Sequence, residues 1–356
     1  MSHRGLFSDD LLLRSLSCRE IDDICLLQPE PAPRRNLYDR GLLDVEAMDS
    51  DEFYHLFRFR KMDLADLASA LLIPEEVVSA QRVRVPGNEA LCMTLRRLAY
   101  PNRLCELELL FNRHSSVLSS VVSSVLAHIE HYFDHLLADM TAHKWLNLLA
   151  VEKFSEAVHA KGAPLDNCWA FIDGTARQIC RPTVDQQEHY SGHKRHHVQK
   201  YQAVMCPNGI LCQLDGPFKG RRHDAGILKE TKLYENLEKV TVGRKFVIYG
   251  DPAYPLLPLL YKPFGGTTLQ PYEAFFNKGM SRVRQAVEWG FAKVATEFAF
   301  VDFHKNQKMS YQRVGRMYRA ATLLANCHTC LYGSQVSDFF DVCPPSLDEY
   351  LVPHSI

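Results

Sequence analysis

The chain has 356 residues, is 46% hydrophobic and 23% charged, and carries a formal net charge of −1, which fits a globular protein of one large or two smaller domains. The charge excludes a globally basic nucleic-acid binder but not a local basic groove. No apolar run approaches the ~20 residues that span a bilayer, the N-terminus turns acidic too early for a secretory signal, and eleven scattered cysteines do not read as a disulfide framework; a nuclear or cytosolic protein with reduced thiols and no membrane contact is expected.

Residues 1–50 mix charge, proline and short apolar pieces and read as a loosely ordered leader. From 51 to 160 the apolar residues recur at three-to-four spacing, which predicts a helical N-terminal module. One of its helices ends at Pro101. A short helix at 104–111, a turn at 112–115 and a long helix at 116–133, capped by Ser115 or Ser116, are compatible with a helix-turn-helix. Plain helix packing explains the same pattern. The serine face of the long helix suits solvent or DNA phosphates equally well.

At residue 168 the period changes to strand. Cys168-Trp169-Ala170-Phe171-Ile172 is an apolar run that ends in Asp173 and Gly174, so a buried strand is expected to stop at an acid. Strands at 199–206 and 210–216 flank Pro207-Asn208-Gly209, a hairpin signal. A helix follows at 224–237, with Asp224 as its cap or first-turn acid. A fourth strand at 245–249 runs into Gly250-Asp251-Pro252. Helices at 278–296 and 312–330 and a peripheral tail at 334–356 complete the chain. Trp145 and Trp289 read as core residues, with Trp289 placed to shield its neighbour Glu288.

Four acids stand out by position: Asp173, Asp224, Asp251 and Glu288. With a right-handed crossover, the first and fourth strands are adjacent and parallel, so Asp173 and Asp251 emerge at neighbouring strand ends. A helix crossing that edge brings Glu288 alongside. Crowded carboxylates repel unless a divalent cation sits among them, and Mg²⁺ or Mn²⁺ takes such hard oxygen ligands. Each acid also has a plainer reading. Asp173 and Asp251 suit turns, Asp224 suits a helix cap, and Glu288 suits pairing with Arg284 one turn away.

Five blocks in order carry a resemblance: 171–175 (Phe-Ile-Asp-Gly-Thr), 190–195 (Tyr-Ser-Gly-His-Lys-Arg), 216–224 (Gly-Pro-Phe-Lys-Gly-Arg-Arg-His-Asp), 250–255 (Gly-Asp-Pro-Ala-Tyr-Pro) and 276–291, which includes Val287-Glu288-Trp289-Gly290-Phe291. Together they resemble the PIF/Harbinger-type DDE transposases and the nucleases domesticated from them. The resemblance covers about 168–300 and implies an α/β fold. It would be an RNase H-like mixed sheet flanked by helices over 165–333, following an N-terminal all-α module. It implies divalent-metal-dependent cleavage of DNA, with Asp173, Asp251 and Glu288 as the catalytic, metal-holding triad. Asp224 matches the family's His-Asp block, as a further metal ligand or only a capping acid. Pro252-Ala253 departs from the family's usual Ser-Gly and removes no ligand. The family implies a nuclear location, a DNA substrate, a separate Myb-like DNA-binding partner and possible homo-oligomers.

The densest basic stretch is 189–200. Lys194, Arg195 and Lys200, with Arg221 and Arg222 ahead of Asp224, are candidate DNA-phosphate contacts; a solvated loop is the alternative. Cys327-His328-Thr329-Cys330 is a lone C-x-x-C, read as buried thiols, with zinc requiring Cys206 and Cys212 as partners. Two further function classes stay open. One is a domesticated DNA-binding or adaptor protein with idle catalysis. The other is a small-molecule phosphohydrolase, which requires a closed pocket.

Overall fold

The computed structural model describes residues 43–309 and 313–354. The expected leader therefore falls largely outside the described residues. So does Gln312, the expected start of the last long helix. Among the described residues no helix is long and apolar enough to cross a membrane.

The N-terminal part is helical, as the spacing predicts: α1 (Ser50–Phe57), α2 (Leu64–Ala70), α3 (Gly87–Ala99), α4 (Leu104–Phe111) and α5 (Ser115–Phe133). Asp49 caps α1, its carboxylate accepting from the amides of Asp51 and Glu52. An antiparallel ribbon of β1 (Glu76–Val78) and β2 (Arg84–Pro86) interrupts the helices; strands of three residues carry no readable periodicity. The cap of α5 is His114, not a serine. Its backbone is already extended, and its Nδ1 accepts from the Ser116 amide at 3.2 Å. The Ser115 amide turns instead to Glu108 at 2.7 Å. The turn between α4 and α5 is pinned by a two-pronged ion pair from Arg113 to Glu89 of α3, 2.7 Å at each prong and almost wholly buried.

After α6 (Leu148–Ala160) comes one mixed sheet. Its strands are β3 (Cys168–Gln178), β4 (Tyr190–Ser191), β5 (His196–Met205), β6 (Leu211–Lys219), β7 (Val247–Tyr249) and β8 (Leu260–Tyr261). The order β4-β5-β3-β7-β8, with β6 also paired to β5, puts β3 in the middle. β5 and β6 form the expected hairpin, and Gly209 takes the left-handed φ of +83° that the turn demands. β7 and β8 run parallel to their neighbours, so the predicted adjacency of the first and fourth strands holds.

Three expectations about element ends need correction. β3 does not stop at Asp173; it runs to Gln178 because β5 continues to pair with it, Asp173 opposite Ala203. The predicted helix at 224–237 is two helices, α7 (Asp224–Glu230) and α8 (Leu233–Thr241). Thr231 separates them in an extended conformation, its hydroxyl bonded to the Leu228 carbonyl. The helix carrying Glu288, α9 (Pro271–Glu297), begins earlier than its apolar stripe because Pro271 and Glu273 start it: the Glu273 carboxylate accepts from the Gln270 amide at 2.7 Å.

α9 lays Met280, Val283, Ala286, Val287, Phe291 and Val294 against the sheet. α10 (Val314–Tyr332) is buried along most of its length and touches both α5 and β6. The segment 334–354 is not peripheral. α11 (Gln335–Phe340) and the turn Leu347–Tyr350 bury Val336, Phe340, Val342 and Tyr350, and the Tyr350 hydroxyl accepts from Asn326 at 2.8 Å. The sheet, the helices before it and this segment share one contiguous apolar core.

The buried Glu89–Arg113 pair gives a direct test. Arg113→Ala leaves Glu89 buried without a counter-charge and is expected to cost about 3–5 kcal/mol. A paired apolar replacement, Glu89→Leu with Arg113→Met, is expected to cost far less. Urea unfolding of the two variants measures the difference.

Candidate active site

The site is built from the middle of the sheet outward. Parallel pairing aligns Phe171 of β3 with Tyr249 of β7. Asp173 stands two residues further along β3, and Asp251 stands two residues past the end of β7, in the turn that follows it. β7 ends at Tyr249 while β3 continues, so Asp173 flanks the opening left by the shorter strand. This is the physical content of an acid at a strand end: the neighbour stops, not the strand itself.

Asp173 is largely buried, with 17% of its side chain exposed. Burial pushes its carboxyl up to about 6. Arg284 and the Gly174 amide oppose the shift, and the nearby charges of Asp251 and Glu288 add to it. Three of the four predicted acids thus act on one another. Arg284, on α9, reaches Asp173 Oδ2 and Glu288 Oε1 at 3.3 Å each. Glu288 itself is 58% exposed. The plainer reading of Glu288, pairing with Arg284 one turn away, is therefore realised together with convergence on Asp173.

Asp251 also shows its plainer role, accepting from the Ala253 amide at 2.9 Å in a turn. Asp224 follows the cap residue His223 in the first turn of α7 and does not itself cap the helix. It pairs with Lys200 at 3.2 Å. It also approaches β3 closely: a Cβ added to Gly174 would lie 3.2 Å from the Asp224 carboxyl carbon. Glycine at 174 is what lets Asp224 approach beside Asp173.

The basic residues divide. Lys200 joins the acid cluster, holding Asp224 and the Arg222 carbonyl. Arg221 and Arg222 line an open cleft of about 570 Å³ with Lys219 and His223, and Arg222 also pairs with Glu230. Lys194 and Arg195 are exposed at the β4–β5 turn. β5 begins at His196, seven residues before Ala203, the partner of Asp173, so roughly 23 Å of strand separates that partner from the turn that carries them.

Tyr254 lies in the 250–255 block. Its ring is buried against Gly250, and its hydroxyl has no hydrogen-bond partner. Burial raises its pKa, and Asp224, Asp173, Asp251 and Asp215 add to the shift, which marks them as its neighbours. Asp215, on β6, is a partly buried acid that sequence reasoning missed; desolvation lifts it to about 6. Its signal was present, an acid closing the apolar run Ile210-Leu211-Cys212-Gln213-Leu214. Trp289 does not cover Glu288. Its ring packs against Phe339 at 5.2 Å.

The donor set suits a hard divalent cation, since every candidate ligand is a carboxylate oxygen. Convergence of Asp173 and Glu288 on one positive charge, the Arg284 guanidinium, is the structural sign that they fit one. Among the described residues, no three His, Cys, Asp or Glu side chains are already gathered closely enough to hold a metal ion. That holds equally for Cys206, Cys212, Cys327 and Cys330, all free; burial raises the Cys327 thiol and lifts Cys330 to about 12.

Fold and site together define a mixed α/β protein with a carboxylate cluster at the middle of its sheet. Residues 172–326 match the family described as DDE superfamily endonuclease. Protein ALP1-like from Arabidopsis thaliana is 23% identical over 229 residues, covering 60% of this chain and 54% of that relative. The chain thus spans about half the length of the relative. No solved structure matches it.

The raised Asp173 value fixes a pH dependence. Its ordinary value is 3.8 and its folded value about 6, so between pH 4 and 6 the folded state keeps a proton that the unfolded chain has released. The contribution of Asp173 to stability is thus fully present below pH 4 and is lost as pH rises through 6, by about 3 kcal/mol at most. Asp173→Asn, which cannot ionise, is expected to be more stable than wild type at pH 7 in the presence of a chelator. The gain should disappear near pH 4. Denaturant unfolding of both proteins at the two pH values checks it.

Proposed function

We propose that the protein is a divalent-metal-dependent DNA endonuclease of the DDE type, on an RNase H-like sheet. The convergence of Asp173, Asp251 and Glu288 from two neighbouring strands and one crossing helix carries this reading. The sheet order supports the fold: an antiparallel β6-β5-β3 half joined to a parallel β3-β7-β8 half.

Asp173, Asp251 and Glu288 would hold Mg²⁺ or Mn²⁺, with Asp224 as a flanking ligand. When bound, such a cation supplies charge neutralisation and water activation for in-line attack on a phosphodiester. The protein's own part is to present the carboxylates ionised and to orient the strand. Asp173 is fixed by sheet pairing and the Gly174 amide. α9, which carries Glu288, is tied to the sheet by Arg177 at the far end of β3, which donates to the Phe291 carbonyl at 3.3 Å. In the cleft lined by Glu188, Lys219, Arg221, Arg222 and His223, Lys219 is paired with Asp185 and Glu188 and Arg222 with Glu230, so Arg221 would be the first contact for the phosphate backbone. The exposure of Glu288 and the openness of this region favour a polymer over a small enclosed substrate. A nuclear location, self-association and a separate Myb-like DNA-binding partner belong to the same proposal.

A second reading, a DNA-binding or adaptor protein without catalysis, is favoured by one observation: Arg284 already neutralises two of the acids. Nicking of supercoiled plasmid in Mg²⁺ or Mn²⁺ separates the readings. Wild type is expected to nick and Asp251→Ala to fall to background, with a chelator abolishing wild-type cleavage. Equal cleavage by both would overturn the assignment. Absence of cleavage in both would favour the second reading.

A further inference from the structure

Arg284 projects from α9 one turn before Glu288 and reaches β3. Its two terminal nitrogens divide between carboxylates on separate elements, Nη1 to Asp173 and Nη2 to Glu288. Both contacts are 3.3 Å and single-pronged, longer than the 2.7–2.9 Å usual for charge-assisted bonds. The structural pair Arg113–Glu89 shows the contrast, with two prongs at 2.7 Å in an almost wholly buried setting. Arg284 keeps 22% of its side chain exposed, so it has a route into solvent. The guanidinium is thus a loosely held cation seated between two acids that the nuclease reading assigns to a metal.

We propose that Arg284 is a positioning residue that exchanges with the divalent cation. It gathers Asp173 and Glu288 in the metal-free protein and is displaced from them when the cation binds. The inference rests on the nuclease reading for the identity of the ligand set. Two positive groups cannot share the same carboxylate oxygens without repulsion, so occupancy by one weakens the other. A purely supporting arginine would act in the opposite direction, because its removal would loosen the acids and weaken metal binding.

Titration calorimetry of the full chain with Mn²⁺ alone, without DNA, reads the sign. Arg284→Gln is expected to bind Mn²⁺ more tightly, by on the order of tenfold. Arg284→Lys keeps the charge but not the fork, so it should fall between Arg284→Gln and wild type, and it serves if Arg284→Gln does not fold. Arg282→Gln removes the same charge from an exposed position on α9 and should leave affinity near wild type. Affinity in Arg284→Gln equal to or below that of Arg282→Gln overturns the exchange while leaving the metal site standing. Mn²⁺ binding that persists unchanged in Asp251→Asn, or is absent from wild type, overturns the exchange and the nuclease reading together.

Discussion

The burial of Asp173 in the central strand is the constraint on which the rest of the site depends. A carboxylate there is disfavoured by desolvation, and its neighbours Asp251 and Glu288 make matters worse. The protein answers with two partial compensations, a backbone amide from Gly174 and the guanidinium of Arg284. Neither brings the carboxyl back to its ordinary range. An acid kept in this state is poised for a stronger counter-charge than the chain itself supplies.

Placing Arg284 and Glu288 on that acid requires α9 to cross the sheet at one height. Its apolar stripe sets which face is turned inward, and Arg177 sets the height by tying the end of β3 to Phe291, to Asp302 at 2.8 Å and to the Tyr318 hydroxyl at 3.2 Å. α10 and the C-terminal segment fill the space behind. The helices before the sheet join the same core: Tyr332 of α10 accepts from the Arg60 amide and donates to Asp63. Firm contacts thus surround a loosely bonded cluster. That is the arrangement expected where a ligand must replace an internal partner.

Much of the architecture was legible because local chemistry demands it. Asn208-Gly209 permits a tight hairpin, the run 168–172 is too apolar to lie outside, and the spacing of Val283, Val287, Phe291 and Val294 fits a helix. Each misread element has its own cause. Asp173 looked terminal because an acid usually ends a buried strand, yet antiparallel pairing with β5 carries the backbone past it. His114 displaced the serines as cap because its ring nitrogen reached the Ser116 amide first. The segment 334–354 looked peripheral from its proline and acids, while the aromatic side chains between them are buried.

The sequence by itself determined which residue types were available: three spaced carboxylates, an arginine one turn before the last, and the order of strand, hairpin, helix, strand and helix. Periodicity and turn chemistry act over a few residues and are written in the chain. The tertiary structure alone decided which charges meet. Asp173 and Asp251 come near each other because β3 and β7 pair side by side and the turn after β7 carries Asp251. Lys200 joins Asp224 while Lys194 and Arg195 stand in the turn at the other end of β5. Tyr254 comes against Gly250, beside Asp251, although nothing in sequence spacing gives it that place. Electrostatic energy depends on distance in space, and residues far apart in the chain acquire that distance only when the sheet closes around them.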